Sequence, residues 1–278
     1  MTQQVPHEFQ PLTKVHYPPY NMVFFEEFFM HYFKENQKET SWVYLPVMWT
    51  SFYIKRKYGT APMQDLQNWL NSLDRDKKYF TVLQYDDGIL QNIEGLDILI
   101  FGAGGGGKGT ISENNLGTPI PLICQPGPRI YKERNTFCSF VGTTKNHSIR
   151  KQIANLFSKE FVIHDNIGYD MFVRTMERSV FSLCPRGYGA TSFRICESLQ
   201  HGSIPVYVYD KSWLPFADEF NFDDIGIRIH QTKIPQIYDI LRSKTGEEIE
   251  QYLINGARIY KEYFTFEGCA NTIIKKVC

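Results

Sequence analysis

Between Phe181 and Asp210 the chain runs FSLCPRGYGATSFRICESLQHGSIPVYVYD. An apolar strand pattern passes through a turn of small residues. Helical spacing begins near Thr191 and stops at Gly202, and a second apolar strand follows. A helix between two strands returns the second strand parallel to the first. This feature constrains the chain most, because a parallel sheet needs helices on both of its faces.

The same alternation runs along most of the sequence. Asn21 to Phe33 carries Phe25, Phe28, Phe29, Tyr32 and Phe33 at helical spacing. SWVYLPVMW predicts a buried strand, MQDLQNWLNSL a helix, KYFTVLQYDDG a strand running into an acidic turn, and LDILIFG the next strand. A long irregular stretch covers Gly102 to Pro128. NTFCSFVG, HSIRKQIANLF, FVIHD and YDMFVRTMERS then continue as strand, helix, strand and helix. Beyond Asp210, IGIRIH and IPQIYDILRS extend the series. TGEEIEQYLINGARIYKEYF, Thr245 to Phe264, predicts a long helix, with Thr245 and Glu248 at capping-box spacing at its start. Two α/β blocks therefore meet near Pro128 to Lys132. The expected domains are 1–131 and 132–278, both Rossmann-like, with the last helix packing back on the first. Ligands of such sheets sit beyond the carboxyl ends of the strands.

Composition excludes several classes. Thirty Lys and Arg balance thirty Asp and Glu, so no electrostatic footprint for nucleic acid or an anionic membrane exists. No apolar run has the length of a membrane span, and the first residues lack the layout of a signal peptide. Six Cys show no close metal-ligand spacing, and reduced thiols in a soluble, cytoplasmic protein are expected. The seven His are scattered. Asp74-Arg75-Asp76 matches a D-x-D metal pattern, but it follows an amphipathic helix among Lys77 and Lys78. A solvated charge cluster is the expectation there and at Asp223-Asp224, and no metal site is expected.

LDILIFGAGGGGKGT, Leu96 to Thr110, nearly spells a phosphate-cradling loop. Gly102 to Lys108 fits G-x-x-x-x-G-K. Gly109 stands where Ser or Thr would hold magnesium, and no helical spacing follows. A flexible loop near an acceptor is the better expectation.

The chemistry concentrates at the end of the strand that opens on Phe181. Arg186 can offset the charge of a diphosphate. Ser192 and the first amides of the following helix form an anion site, with Arg194 in support. Glu197, one turn into that helix, suits ribose hydroxyls. Arg194, Glu197 and His201 share one helix face. A surface Arg194–Glu197 pair on an ordinary helix accounts for the same residues equally well.

Phe181 to Asp210 resembles the signature of the exostosin-like glycosyltransferases, glycosyltransferase family 47. The family pattern of C-P-R-G, S-x-R-x-x-E-A-L and G-x-I-P-V appears as Cys184-Pro185-Arg186-Gly187, Ser192-Phe193-Arg194 with Glu197-Ser198-Leu199, and Gly202-Ser203-Ile204-Pro205-Val206. Ser198 replaces the usual Ala. YNMVFFEEFF is similar to the family's Y-x-x-E helix, and YFTVLQYDDG to its H-D-x-G strand end. RNTFCSFVG with IRKQI is similar to the opening of its donor domain, and WLPFADEFNFDDIGIRI with IPQIYDILRS to its final segments. The compact chain resembles the glycan-building transferases of large algal viruses, which would place it in a host cytoplasm.

The resemblance implies a GT-B fold, with two Rossmann-like domains facing each other across a cleft. It implies a UDP-sugar co-substrate in the C-terminal domain, inversion at the anomeric carbon and no obligatory metal. The acceptor would be an oligosaccharide or a glycoprotein glycan, and UDP-xylose is the donor favoured by the viral likeness. Arg186, Ser192, Arg194, Glu197, Gly142 and Arg150 are the expected donor-binding residues. Asp87 is the first choice for the base, with Asp86, Glu26 and Glu27 as competitors, although Asp86-Asp87-Gly88 also has the composition of a plain turn. A glycan-binding protein on an inactive transferase fold, or a magnesium-dependent kinase using Lys108, are the other readings.

Overall fold

The computed structural model describes residues 1–10, 15–17, 20–22, 24–36, 38–104, 117–127 and 133–278. The chain divides into two compact units, Met1–Ile120 with Phe266–Cys278, and Pro121–Thr265. Lys108 and Gly109 lie outside the described residues, as does Pro128 to Lys132.

The first unit holds the hairpin β1 (Val15–Tyr17) and β2 (Tyr20–Met22), then α1 (Phe25–Asn36), β3 (Trp42–Tyr44), α2 (Trp49–Lys55), α3 (Gln64–Asn71), β4 (Lys78–Leu83), β5 (Asp97–Gly102) and β6 (Gly117–Pro119). Strands β3 to β6 pair in sequence order, all parallel. The second unit holds β7 (Thr136–Val141), α4 (Ser148–Phe157), β8 (Val162–His164), α5 (Tyr169–Arg178), β9 (Ser179–Pro185), α6 (Phe193–His201), β10 (Ile204–Tyr209), β11 (Ile227–His230), α7 (Ile237–Arg242) and α8 (Gly246–Tyr263). Its five parallel strands follow the order β11-β10-β9-β7-β8. A final helix, α9 (Phe266–Val277), belongs to the first unit. Two α/β units on parallel sheets are what the GT-B expectation calls for, and the chain has both.

Aromatic packing explains the first unit. Phe25, Phe29 and Phe33 are buried on one face of α1, where Phe29 and Phe33 pack against Tyr44 of β3 and Phe80 of β4. Phe266 of α9 stacks on Phe25 and Phe28, at 5.9 and 5.0 Å between ring centres. Fully burying each such ring contributes about 1.5–3 kcal/mol. One sheet hydroxyl is buried but satisfied: Thr81 accepts from Trp49 Nε1 at 2.8 Å and donates to the Leu45 carbonyl.

Two helices, α2 and α9, lie outside the sequence expectation. The strand expected across SWVYLPVMW stops at Tyr44, and α2 starts at Trp49. Pro46 cannot donate to a ladder, so it ends the strand early. The helix expected from Thr245 to Phe264 is α8, Gly246–Tyr263, and the residues after it, for which no element is expected, form α9. The capping box at Thr245 and Glu248 is formed in both directions. Five of the six thiols are buried, and none is in a disulfide. Among the described residues no helix is long and apolar enough to cross a membrane.

Candidate functional site

In the second sheet the chain leaves β7 toward β8 on one side and returns to β9 on the other. The connection thus reverses direction between β7 and β9, and a crevice opens at such a switch point beyond the strand ends. Both ends carry residues singled out above. Gly142 follows β7 with φ +151°, and its amide donates to the His164 carbonyl at 3.0 Å. A Cβ at Gly142 would lie 3.2 Å from Arg194 Nη2, so the glycine lets the guanidinium approach the backbone.

Arg186 follows β9 and is 8% exposed. Its Nη1 donates to Asp210 Oδ1 at 2.7 Å and its Nη2 to the Tyr188 carbonyl at 2.6 Å. The guanidinium is therefore held in one orientation before any ligand arrives. Burial works to raise the Asp210 carboxyl, but the hydrogen bond and charge of Arg186 outweigh it and hold the group below its usual range.

Arg150 of α4 is anchored in the same place. Its Nε donates to the Arg186 carbonyl at 2.9 Å, and its Nη2 to the Pro185 carbonyl at 3.3 Å. A Cβ at Gly187 would meet Arg150 Nη2 at 3.3 Å. Expected as the weakest donor-binding residue, Arg150 is fixed against the strand end that carries Arg186.

Ser192 caps α6: its side chain has extended backbone beneath it and accepts from the Arg194 amide at 3.3 Å. Arg194 Nη1 donates to Glu197 Oε2 at 2.6 Å, and its guanidinium lies 4.6 Å from the centre of the Phe172 ring. Glu197 is 5% exposed, so this pair is not a solvated surface bridge. Ser198, where the family pattern has Ala, is buried. Its hydroxyl donates to the Arg194 carbonyl at 2.5 Å and meets Cys184 Sγ at 3.3 Å, which ties the helix to β9. His201, on the same face, pairs with buried Glu177 at 3.3 Å and is a core residue.

Two residues not singled out from sequence join this group. His147 caps α4, and Asp210 directly follows β10. Asp210 closes the thirty-residue motif and was legible as a strand-end carboxylate. His147 sits before a helix as a cap, a place where Ser, Thr, Asp or Asn is the usual signal.

The first unit gathers its own carboxylates at the end of β4. Tyr85 to Gly88 form a turn closed by the Gly88 amide on the Tyr85 carbonyl at 3.0 Å, with Gly88 at φ +72°. Asp86 and Asp87 occupy its two central positions, both half-buried. Gly104 lies against Asp86: a Cβ there would be 2.4 Å from the Asp86 Cα. The start of the glycine-rich loop is thus packed on the acidic turn.

Glu26 differs from the expectation of an open base. It is 1% exposed and accepts from the Thr50 amide at 3.0 Å, the Thr50 hydroxyl at 2.5 Å and the Gln84 amide at 2.8 Å. Burial outweighs these bonds and pushes its carboxyl up to about 7. Both oxygens serve the unit's interior, so Glu26 positions the strand end. Glu27 is half-buried on the same helix. Asp74 pairs with Lys77 at 3.5 Å on an exposed turn, and Asp223 pairs with Arg228, as expected of solvated charges.

A family model described as the Exostosin GT47 domain matches residues 110–244. Among curated proteins, a "Probable glucuronosyltransferase" of Oryza sativa subsp. japonica is 40% identical over 78 residues, 28% of this chain and 18% of that protein. "Probable beta-1,4-xylosyltransferase IRX10L" of Arabidopsis thaliana is 37% identical over 78 residues, 28% of this chain and 19% of that one. A "Probable glycosyltransferase" of Arabidopsis thaliana is 29% identical over 136 residues, 47% of this chain and 28% of that one. The chain therefore spans less than a third of the length of these relatives. Among solved structures, TarM gives a TM-score of 0.44 at 8% identity, covering 89% of this chain and 57% of the other. The pneumococcal O-GlcNAc transferase GtfA in complex with UDP and GlcNAc gives 0.42 at 12% identity, covering 89% and 58%. Both scores lie below 0.5, so the fold assignment rests on the two parallel sheets themselves. The GT47 match extends across β7 to α7 and contains the switch-point residues, so this stretch of the chain is similar to the exostosin domain of glycosyltransferase family 47.

Proposed function

We propose that the chain is an inverting glycosyltransferase that moves a sugar from a UDP-sugar to a hydroxyl of an acceptor glycan. One observation carries the reading: Arg150, Arg186 and Arg194 are all fixed at the β7–β9 switch point of a parallel sheet. A diphosphate is the ligand whose charge suits such a set. Arg186 and Arg150 hold it from the β9 end, Ser192 and Arg194 from the start of α6, and Gly142 admits it to the backbone. Glu197 takes the ribose, exchanging part of its bond to Arg194 for the sugar hydroxyls.

For transfer, the acceptor hydroxyl attacks the anomeric carbon, the C–O bond to the diphosphate breaks, and UDP departs with its charge already offset. The hydroxyl proton passes to a carboxylate, for which Asp87 is the proposed base and Asp86 its neighbour. The guanidinium set performs the electrostatic role that a divalent ion performs elsewhere, so no metal is required. UDP-xylose is the favoured donor.

A panel of nucleotide sugars, screened for binding by titration calorimetry and for UDP release with glycan acceptors, tests the reading. Affinity for one UDP-sugar with release of UDP is expected. Binding of glycans without any nucleotide affinity would replace it with a lectin-like function.

A further inference from the structure

His147 and Asp210 face each other beside the β9 end in a way the diphosphate reading does not use. His147 Nδ1 accepts from the Ile149 amide at 3.3 Å. The neutral ring therefore carries its proton on Nε2. That Nε2 lies 3.8 Å from Asp210 Oδ2, too far for a hydrogen bond. Among the described residues no closer acceptor stands opposite it. Asp210 Oδ1 is engaged by Arg186 and by its neighbour's Lys211 amide, both at 2.7 Å, which leaves Oδ2 as the oxygen toward His147.

Charge decides what fits between them. A phosphate oxygen at this point would meet the Asp210 carboxylate and be repelled. A cation would meet Arg186, Arg150 and the ring N–H. A hydroxyl suits both sides, because its oxygen accepts from Nε2–H while its proton goes to Oδ2. Two partners 3.8 Å apart can share one hydroxyl oxygen at ordinary hydrogen-bond length. The ring stays neutral, as this role requires. Burial holds its pKa below the usual histidine range, helped by the Arg186 and Arg150 charges and opposed by Asp210.

We propose that His147 and Asp210 form a hydroxyl-reading pair for the transferred sugar of the donor. This inference rests on the donor site proposed above. It assigns the pair to sugar selection, separate from the residues that hold the nucleotide. Arg186 links the two parts, since it orients Asp210 while contacting the diphosphate.

The variant His147→Asn isolates the proposal. Asn is a preferred helix cap, so α4 keeps its start while the Nε2 donor is lost. Titration calorimetry would compare UDP with UDP-xylose, UDP-glucose, UDP-galactose, UDP-glucuronic acid and UDP-N-acetylglucosamine on both proteins. The expected result is about a ten-fold weaker Kd for the preferred UDP-sugar, with UDP itself within about two-fold. Equal weakening of UDP and UDP-sugar would make His147 a nucleotide or helix-cap residue and overturn the pair. Unchanged affinity for both would overturn it as well. If the unsubstituted protein binds neither UDP nor any UDP-sugar, the donor site itself fails, and the pair fails with it.

Discussion

Gln84 and Glu26 lock the end of β4 to the start of α1 in both directions: the Gln84 side chain accepts from the Phe25 amide at 2.6 Å, and the Gln84 amide donates to Glu26 at 2.8 Å. The acidic turn, Tyr85 to Gly88, begins at the next residue, so its position depends on this lock.

Glu26 makes the first unit pH-sensitive. Its folded pKa of about 7 lies above the ordinary 4.5, so the folded state binds the proton more tightly than the unfolded chain. Its contribution is fully present below about pH 4.5 and is lost as pH rises through about 7, amounting to about 3 kcal/mol. Glu26→Gln should flatten the stability difference between pH 4.5 and 7 by an amount of that order, read by urea unfolding at several pH values. Glu26→Ala leaves three buried donors without their acceptor and should cost about 3–5 kcal/mol. Parallel pH profiles for the unsubstituted chain and Glu26→Gln would show that Glu26 does not titrate in this window.

Gly104→Ala should destabilise the first unit by about 1–3 kcal/mol, since a methyl 2.4 Å from the Asp86 Cα forces the backbone aside. Thermal unfolding reads the loss. An unchanged melting temperature would mean that the glycine loop does not rest on the turn.

Donor binding is tested at Glu197. Glu197→Ala should weaken UDP binding by about 1.5–3 kcal/mol. The same substitution also releases Arg194, so the ligand must separate the two effects. With 2′,3′-dideoxy-UDP the penalty should shrink to within about two-fold, because the ribose contact is then already absent. An equal penalty on both nucleotides would assign Glu197 to holding Arg194 alone.

Asp87→Asn keeps the turn and removes the basicity. Turnover should fall by roughly 10²–10⁴-fold, with UDP affinity unchanged. Near-normal turnover, with the same drop in Asp86→Asn or Glu27→Gln, would move the base to that residue.

Charge offset by arginine predicts that EDTA leaves transfer within about two-fold of its untreated rate. Arg186→Lys should weaken UDP binding by about ten-fold or more, because a lysine cannot keep the Asp210 and Tyr188 bonds while facing a phosphate. Activity lost in EDTA and restored by manganese would reverse the assignment.

Sequence periodicity carried most of the fold, because each strand of the second unit is an apolar run closed by a polar or glycine residue. It failed at Pro46, where the apolar run continues through a break that only backbone bonding defines, and it left the segment of α9 without an element. Within the site, Arg186, Ser192, Arg194 and Glu197 were legible because they share one motif and one helix. Glu26 has the residue type of a base, yet its buried place is set by Thr50 and Gln84, 24 and 58 residues away. His147 gave no signal, since its meaning comes from Asp210, which pairing of distant strands brings beside it.

The helix α9 has a consequence for biosynthesis. It supplies Phe266 to the aromatic stack of α1 and an Asn271 side chain that accepts from Tyr32 at 3.0 Å. Domains ordinarily fold as units, N-terminal first, as they leave the ribosome. Here the second unit is whole once Thr265 has been made, whereas the unit that begins the chain still lacks part of its core. The sheet of the second unit can therefore mature first, and the earlier-made strands remain an unfinished core until α9 arrives.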